Sequence, residues 1–144
     1  MVESSDNPSN RPTWYNEILP NLFLGGVKST EQQSELDQMG ITHILSLGVE
    51  ARSAPTNLVK NVFIDVDDHE LADIFPHLPG AVEFIGQALE SGGKVLVHCF
   101  AGSSRSGSCV IAYIMKTQKK PYFDSLRFVQ SKRSLVRPNL AFGK

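Results

Sequence analysis

The chain has little cysteine: two residues in 144, Cys99 and Cys109. That scarcity excludes a disulfide scaffold, so the fold must rest on an apolar core. Zinc-type Cys-His spacing is missing as well. No apolar run approaches the roughly 20 residues that a membrane span needs. The N-terminal stretch MVESSDNPSNRP is polar and carries no apolar segment of the secretory kind. No Asn-X-Ser/Thr acceptor survives, because Asn7-Pro8-Ser9 has proline in the middle. Excess charge of either sign is absent, the formal net charge being −1. No overall basic field therefore argues for nucleic acid. There is no internal repeat. An intracellular, reducing compartment fits these absences best, cytoplasmic and/or nuclear, with both cysteines as thiols.

What is present is an ordinary globular mix, 41% hydrophobic and 20% charged. The length suits one domain. Residues 1–11 read as a disordered N-terminal tail and residues 12–144 as the folded domain. Trp14 to Gly26 reads as two short strands about a Pro-Asn turn. Ser29-Thr30-Glu31-Gln32 is a capping-box pattern that opens a helix to Met39, with Gly40 at its end. Thr42–Leu47 and Asn61–Val66 read as strands, with a polar loop between them. Asp67 to Asp73 is an acidic loop. Apolar residues at Leu78, Ala81, Val82, Ile85 and Leu89 have helical period, and Pro76 and Pro79 push the start of that helix toward Leu78. Gly92-Gly93 ends it. Lys94 to Val97 is a buried strand, Gly107 to Thr117 an apolar helix, and Pro121 opens a last helix ending near Ser131. Strands alternating with helices predict an α/β fold with a largely parallel central sheet flanked by helices.

The chemistry lies in Val95-Leu96-Val97-His98-Cys99-Phe100-Ala101-Gly102-Ser103-Ser104-Arg105-Ser106-Gly107. A buried strand ends, a loop of small residues follows, and a helix begins. Successive backbone N–H groups then converge on one point at the positive end of a helix dipole, which is an anion site. Gly102 and the serines let the backbone of Phe100, Ala101, Gly102, Ser103 and Ser104 curl around a tetrahedral oxyanion. Cys99 stands at the mouth, where the same field favours a thiolate. Arg105 offers a planar fork that grips two phosphate oxygens at once. Ser106 is placed to hydrogen-bond the sulfur, and His98 to hold the loop through a neighbouring carbonyl. The bland alternative is a structural cysteine before a capped helix. The strand, glycine, arginine and serine together speak against it.

The segment HCFAGSSRS resembles the His-Cys-x-Ala-Gly-x-Ser-Arg-Ser signature of dual-specificity protein phosphatases. The likeness runs over roughly Trp14 to Phe142, with NLFLGG, THILSLG and RPNLAF as further landmarks. It implies a protein tyrosine phosphatase-like fold with the phosphate loop between a strand and a helix. It implies a phosphocysteine intermediate without metal or cofactor, and activity on phosphotyrosine and phosphoserine or phosphothreonine. The implied partner is a phosphorylated protein, with a MAP kinase among the candidates. Asn139, in Pro138-Asn139, resembles the asparagine that steadies the loop. Arg133 resembles an arginine that meets a second phosphate on the substrate. The family usually carries a further helix beyond this region, so residues 12–144 read as a domain that lacks that helix or is cut short of it. With no rhodanese-like domain before it in this sequence, the expectation is a likeness to the small, atypical members.

A leaving alkoxide or phenoxide needs a proton, and a nearby carboxyl group should supply it. Asp65, Asp67, Asp68, Glu70 and Asp73 are the candidates. The family pattern places the acid four residues after the strand isoleucine Ile64, which selects Asp68, with Asp67 next. Cys109 reads as core filler among Val110, Ile111 and Ile114. His43 reads as a satisfied strand residue and His69 as a surface one. Lys132, Arg133 and Arg137 form a basic group that ordinary surface charge explains as well as docking does. Two other functions compete: a phosphatase of a non-protein phosphoester on the same fold, and a phosphate-binding scaffold with little turnover. Lysines inside the loop, the mark of lipid phosphatases, are missing from Phe100 to Ser104.

Overall fold

The computed structural model describes residues 15–26, 36, 38–48, 60–64, 75–99, 105–134 and 136. Among these residues, five strands form one sheet: β1 (Tyr15–Leu19), β2 (Leu22–Gly25), β3 (His43–Leu47), β4 (Lys60–Ile64) and β5 (Val95–His98). Among the described residues, three fully bounded helices accompany them: α1 (Leu78–Glu90), α2 (Arg105–Gln118) and α3 (Tyr122–Lys132). A 3₁₀ turn at Phe75–His77 leads into α1. It absorbs Pro76, and Pro79 sits in the first turn of α1, where its missing N–H costs nothing.

The strand order is β1-β2-β5-β3-β4. Only the edge strand β1 runs antiparallel, against β2, while β2–β5, β5–β3 and β3–β4 are parallel. The α/β expectation with a largely parallel sheet therefore holds. Its central strand is β5, which explains the unbroken apolar run VLV there: both faces are covered.

The two faces bury different sets of side chains. Leu22, Leu24, Leu45, Leu47, Val95 and Val97 point into the larger core, against Ala81, Ile85, Ile111, Ile114 and Val129 of the helices. Phe23, Ile44 and Leu96 point the other way, toward Leu36 and Ile41. Period-two alternation along β5 produces this division. Leu36, Gln38 and Met39 are helical, and Gly40, with φ of 78°, ends that turn as expected. The predicted opening of that helix lies outside the described residues. So do the tail, the acidic loop, and Phe100 to Ser104.

Helix α2 begins at Arg105, two residues earlier than the hydrophobic pattern suggests. Arg105 and Ser106 thus belong to its first turn. Helix α3 starts after Pro121, whose extended backbone (φ −63°, ψ 163°) makes it the N-cap rather than the first helical residue. All the parallel strands end on one side of the sheet. Ligands of open α/β sheets bind beyond those carboxyl ends, and β5 delivers Cys99 there.

Candidate active site

Cys99 follows the last residue of β5 and is 1% exposed. Its backbone N–H donates to the Gly25 carbonyl at the end of β2, at 3.3 Å. Ser106 Oγ lies 3.1 Å from the Cys99 sulfur. The Ser106 backbone N–H donates to the same sulfur at 3.5 Å. Two donors from the first turn of α2 can therefore converge on one sulfur. The sulfur is thereby tied to the helix end that follows the loop.

Arg105 opens α2 and is 2% exposed, the largest of the fully buried side chains. A buried guanidinium needs an anionic or polar setting to repay its desolvation. Its place six residues after Cys99 puts it on the same helix end that addresses the sulfur.

His98 departs from expectation. The sequence predicts a bond to a neighbouring carbonyl, whereas its Nε2 lies 2.6 Å from Ser46 Oγ on β3, and both residues are buried. Its Nδ1 is buried with no hydrogen-bond partner among the described residues. The physical reason is the parallel register, which sets Ser46 beside His98 across the β3–β5 ladder. Burial lowers the His98 pKa from 6.5 to about 4, so the ring is neutral at ordinary pH. Ser46 escaped the sequence reading. The signal was a lone hydroxyl within the apolar strand HILSL.

Arg133 also departs from expectation. A residue meeting a second phosphate should reach solvent, but Arg133 is 4% exposed. Its Nη1 donates to Asn16 Oδ1 of β1 at 2.8 Å. Burial holds the guanidinium below the usual arginine value, while the negative charge of Cys99 pulls the other way. The chain bends inward after α3, Val136 is fully buried, and Arg133 goes in with it. The reading of Lys132, Arg133 and Arg137 as one surface group fails at Arg133 for the same reason.

Cys109 is fully buried in α2, as expected of core filler. Burial, with the nearby charge of Cys99, pushes its thiol up to about 12. His43 is satisfied in its strand: Nδ1 is 2.8 Å from Thr42 Oγ1, and the ring meets Phe84 edge-on at 5.6 Å. Asp68, Asp67, Asp65, Glu70, Asp73, His69, Arg137 and Asn139 lie outside the described residues, as do the loop positions Phe100 to Ser104.

Residues 22–144 match the family model described as the catalytic domain of dual specificity phosphatases. The chain belongs to this family. Dual-specificity phosphatase relatives include rat dual specificity protein phosphatase 5, 38% identical over 126 residues. That match takes in 88% of this chain and 33% of the rat protein. Human serine/threonine/tyrosine-interacting protein is 41% identical over 133 residues, covering 88% of this chain and 60% of that protein. The chain thus spans between about a third and three-fifths of the length of these curated relatives. A crystal structure of the human tyrosine phosphatase-like serine/threonine/tyrosine-interacting protein superposes with a TM-score of 0.84 at 38% identity. It covers 90% of each chain.

Proposed function

We infer that this dual-specificity phosphatase domain hydrolyses phosphotyrosine and phosphoserine or phosphothreonine in proteins, through a phosphocysteine on Cys99. The observation that carries the reading is the convergence of Ser106 Oγ and Ser106 N–H on the buried Cys99 sulfur, at 3.1 and 3.5 Å. Family membership supports the substrate class.

In this reading the Cys99 thiolate attacks phosphorus in line with the ester oxygen. The P–O bond breaks, and the leaving oxygen takes a proton from Asp68. Arg105 holds two phosphate oxygens in its fork as charge spreads over them. Backbone N–H groups from Phe100 to Ser104 take part in that hold, and Asn139 steadies the loop. Water then attacks the phosphocysteine and gives a proton to the Asp68 carboxylate. The P–S bond breaks, inorganic phosphate departs, and the thiolate is restored. The Ser106 hydroxyl donates to the sulfur as its negative charge returns.

The partner is a phosphorylated protein, and a MAP kinase is one this reading includes. The family likeness supports that inclusion. A reducing compartment, cytoplasmic and/or nuclear, belongs to the same proposal because a nucleophilic thiol must stay reduced to work.

A second reading draws on the relatives named interacting proteins and the neighbour described as tyrosine phosphatase-like: a phosphate-binding scaffold without turnover. Cys99 and Arg105 in this sequence disfavour it. Turnover of a small aryl phosphate in the presence of a chelator decides. Cys99→Ser should abolish it while phosphate binding persists, because a serine hydroxyl stays protonated where a thiol ionises. Equal rates for parent and Cys99→Ser would overturn the covalent mechanism.

A further inference from the structure

We propose that Ser46 is a positioning residue for Cys99, acting through His98 from the opposite face of the sheet. The inference rests on the reading of Cys99 as nucleophile. Along β5 the side chains alternate: Val95, Val97 and then Cys99 join the core beneath the helices, whereas Leu96 joins the cluster on the other face. His98 follows Leu96 by two residues and so turns away from the helices. The nucleophile and the histidine before it are anchored on opposite sides of one strand end.

One backbone bond at that end is long. The Cys99 N–H reaches the Gly25 carbonyl at 3.3 Å, beyond the usual N–H···O range. The Ser46–His98 bond, at 2.6 Å between groups 2% and 0% exposed, is the shorter and drier contact. It joins a register pair of adjacent strands, β3 and β5, so it needs no adjustment of either backbone. A neutral imidazole has one donor and one acceptor. Its Nδ1 has no partner among the described residues, so the Ser46 bond is the contact that fixes the rotation of the ring, the hydroxyl donating to Nε2 or accepting from it. Ring rotation at the last strand residue bears directly on the angle at which Cys99 leaves the sheet. In-line attack tolerates little error there, since a displacement of about 1 Å can cost around 10²-fold in rate.

The alternative is that Ser46 and His98 merely satisfy one another in the interior. Kinetics separate the two. The full chain, Ser46→Ala and Ser46→Thr are compared for kcat and KM on an aryl phosphate, and for the rate of Cys99 alkylation by iodoacetamide at about pH 6. Ser46→Ala should lose roughly 10-fold or more in kcat, with KM within about 3-fold, and alkylation should slow by a similar factor. Ser46→Thr, which keeps the hydroxyl, should recover to within about 3-fold on both. An Ala variant matching the parent in kcat and alkylation overturns the proposal, and so does an equal loss in both variants. Should Ser46→Ala fail to fold, nitrogen NMR of the unmodified protein still tests the contact. A neutral His98 ring with Nε2 in a hydrogen bond is expected, and an Nε2 with no hydrogen bond overturns it. A parent that shows no turnover at all sinks the phosphatase reading itself. A parent that turns over alongside an unimpaired Ser46→Ala sinks only this inference.

Discussion

A methyl group placed on Gly107 would stand 2.8 Å from Cγ1 of Val136. Gly107 follows Ser106 in the first turn of α2, and Val136 is fully buried after the end of α3. The Val136 carbonyl is also held by Gln130 Nε2 at 2.9 Å, and its N–H by the Arg133 carbonyl at 3.2 Å. Val136 is thereby clamped against the helix turn that addresses Cys99.

Gly107→Ala sets two effects against each other. Alanine improves helix propensity by up to about 1 kcal/mol. The clash falls on a β-branched side chain with a stiff χ1, and overpacking of this kind costs about 1–3 kcal/mol. The clash wins, so urea unfolding should show a lower midpoint. In Gly107→Ala/Val136→Ala the loss should be smaller than the sum of the two single losses, because the offending methyl is gone. Additive losses would show that the two residues do not meet.

Burial of His98 has a pH signature. Its pKa falls from 6.5 to about 4 on folding, from desolvation. Between those values the unfolded chain binds the proton and the folded chain does not. Stability from this group is therefore complete above about pH 6.5 and is lost as pH falls toward 4, by about 3 kcal/mol in all. Urea midpoints should drop between pH 7 and pH 5, and His98→Asn should drop much less over the same interval. A parent midpoint independent of pH in that range would contradict a buried, neutral His98.

The burial of Arg133 changes what its removal should do. Arg133→Ala cuts the 2.8 Å tie to Asn16 and empties a buried site, so it should destabilise by roughly 1–3 kcal/mol. Any kinetic loss should be the same for singly and doubly phosphorylated Thr-x-Tyr peptides. A loss confined to the doubly phosphorylated peptide would restore a second phosphate to this residue.

Arg133 and His98 also show where the sequence stopped being informative. The β5–loop–α2 unit was legible because its strand, small residues, arginine and serine are contiguous, and local order alone creates the convergence on Cys99. The sheet was legible because period and turn residues mark each strand. The partners of His98 and Arg133 were not. Ser46 lies 52 residues from His98, and Asn16 lies 117 residues from Arg133. Nothing in local periodicity reports a contact that only the strand order β1-β2-β5-β3 creates. Side chains that resemble solvent-facing charges along a helix can be drawn inward by the chain that follows, as Val136 draws Arg133.

The general acid separates from the nucleophile by its dependence on the leaving group. Asp68→Asn should slow hydrolysis of a phosphotyrosine peptide by roughly 10²–10⁴-fold, the usual contribution of general acid–base help. For an activated aryl ester the loss should shrink, because a good leaving group departs with little need of a proton. The basic limb of the kcat/KM profile should flatten, since the carboxyl group whose ionisation produces it is gone. The acidic limb, set by thiolate formation and by the substrate's own ionisation, should remain. Asp67→Asn should do little of this. The two variants differ by one position on the same acidic loop, so bulk electrostatics changes alike in both and cannot imitate the difference. A large, leaving-group-dependent loss in Asp67→Asn with an active Asp68→Asn would move the acid by one residue. Full activity in both would pass the role to Glu70 or Asp73, each then tested by the same pair of substrates.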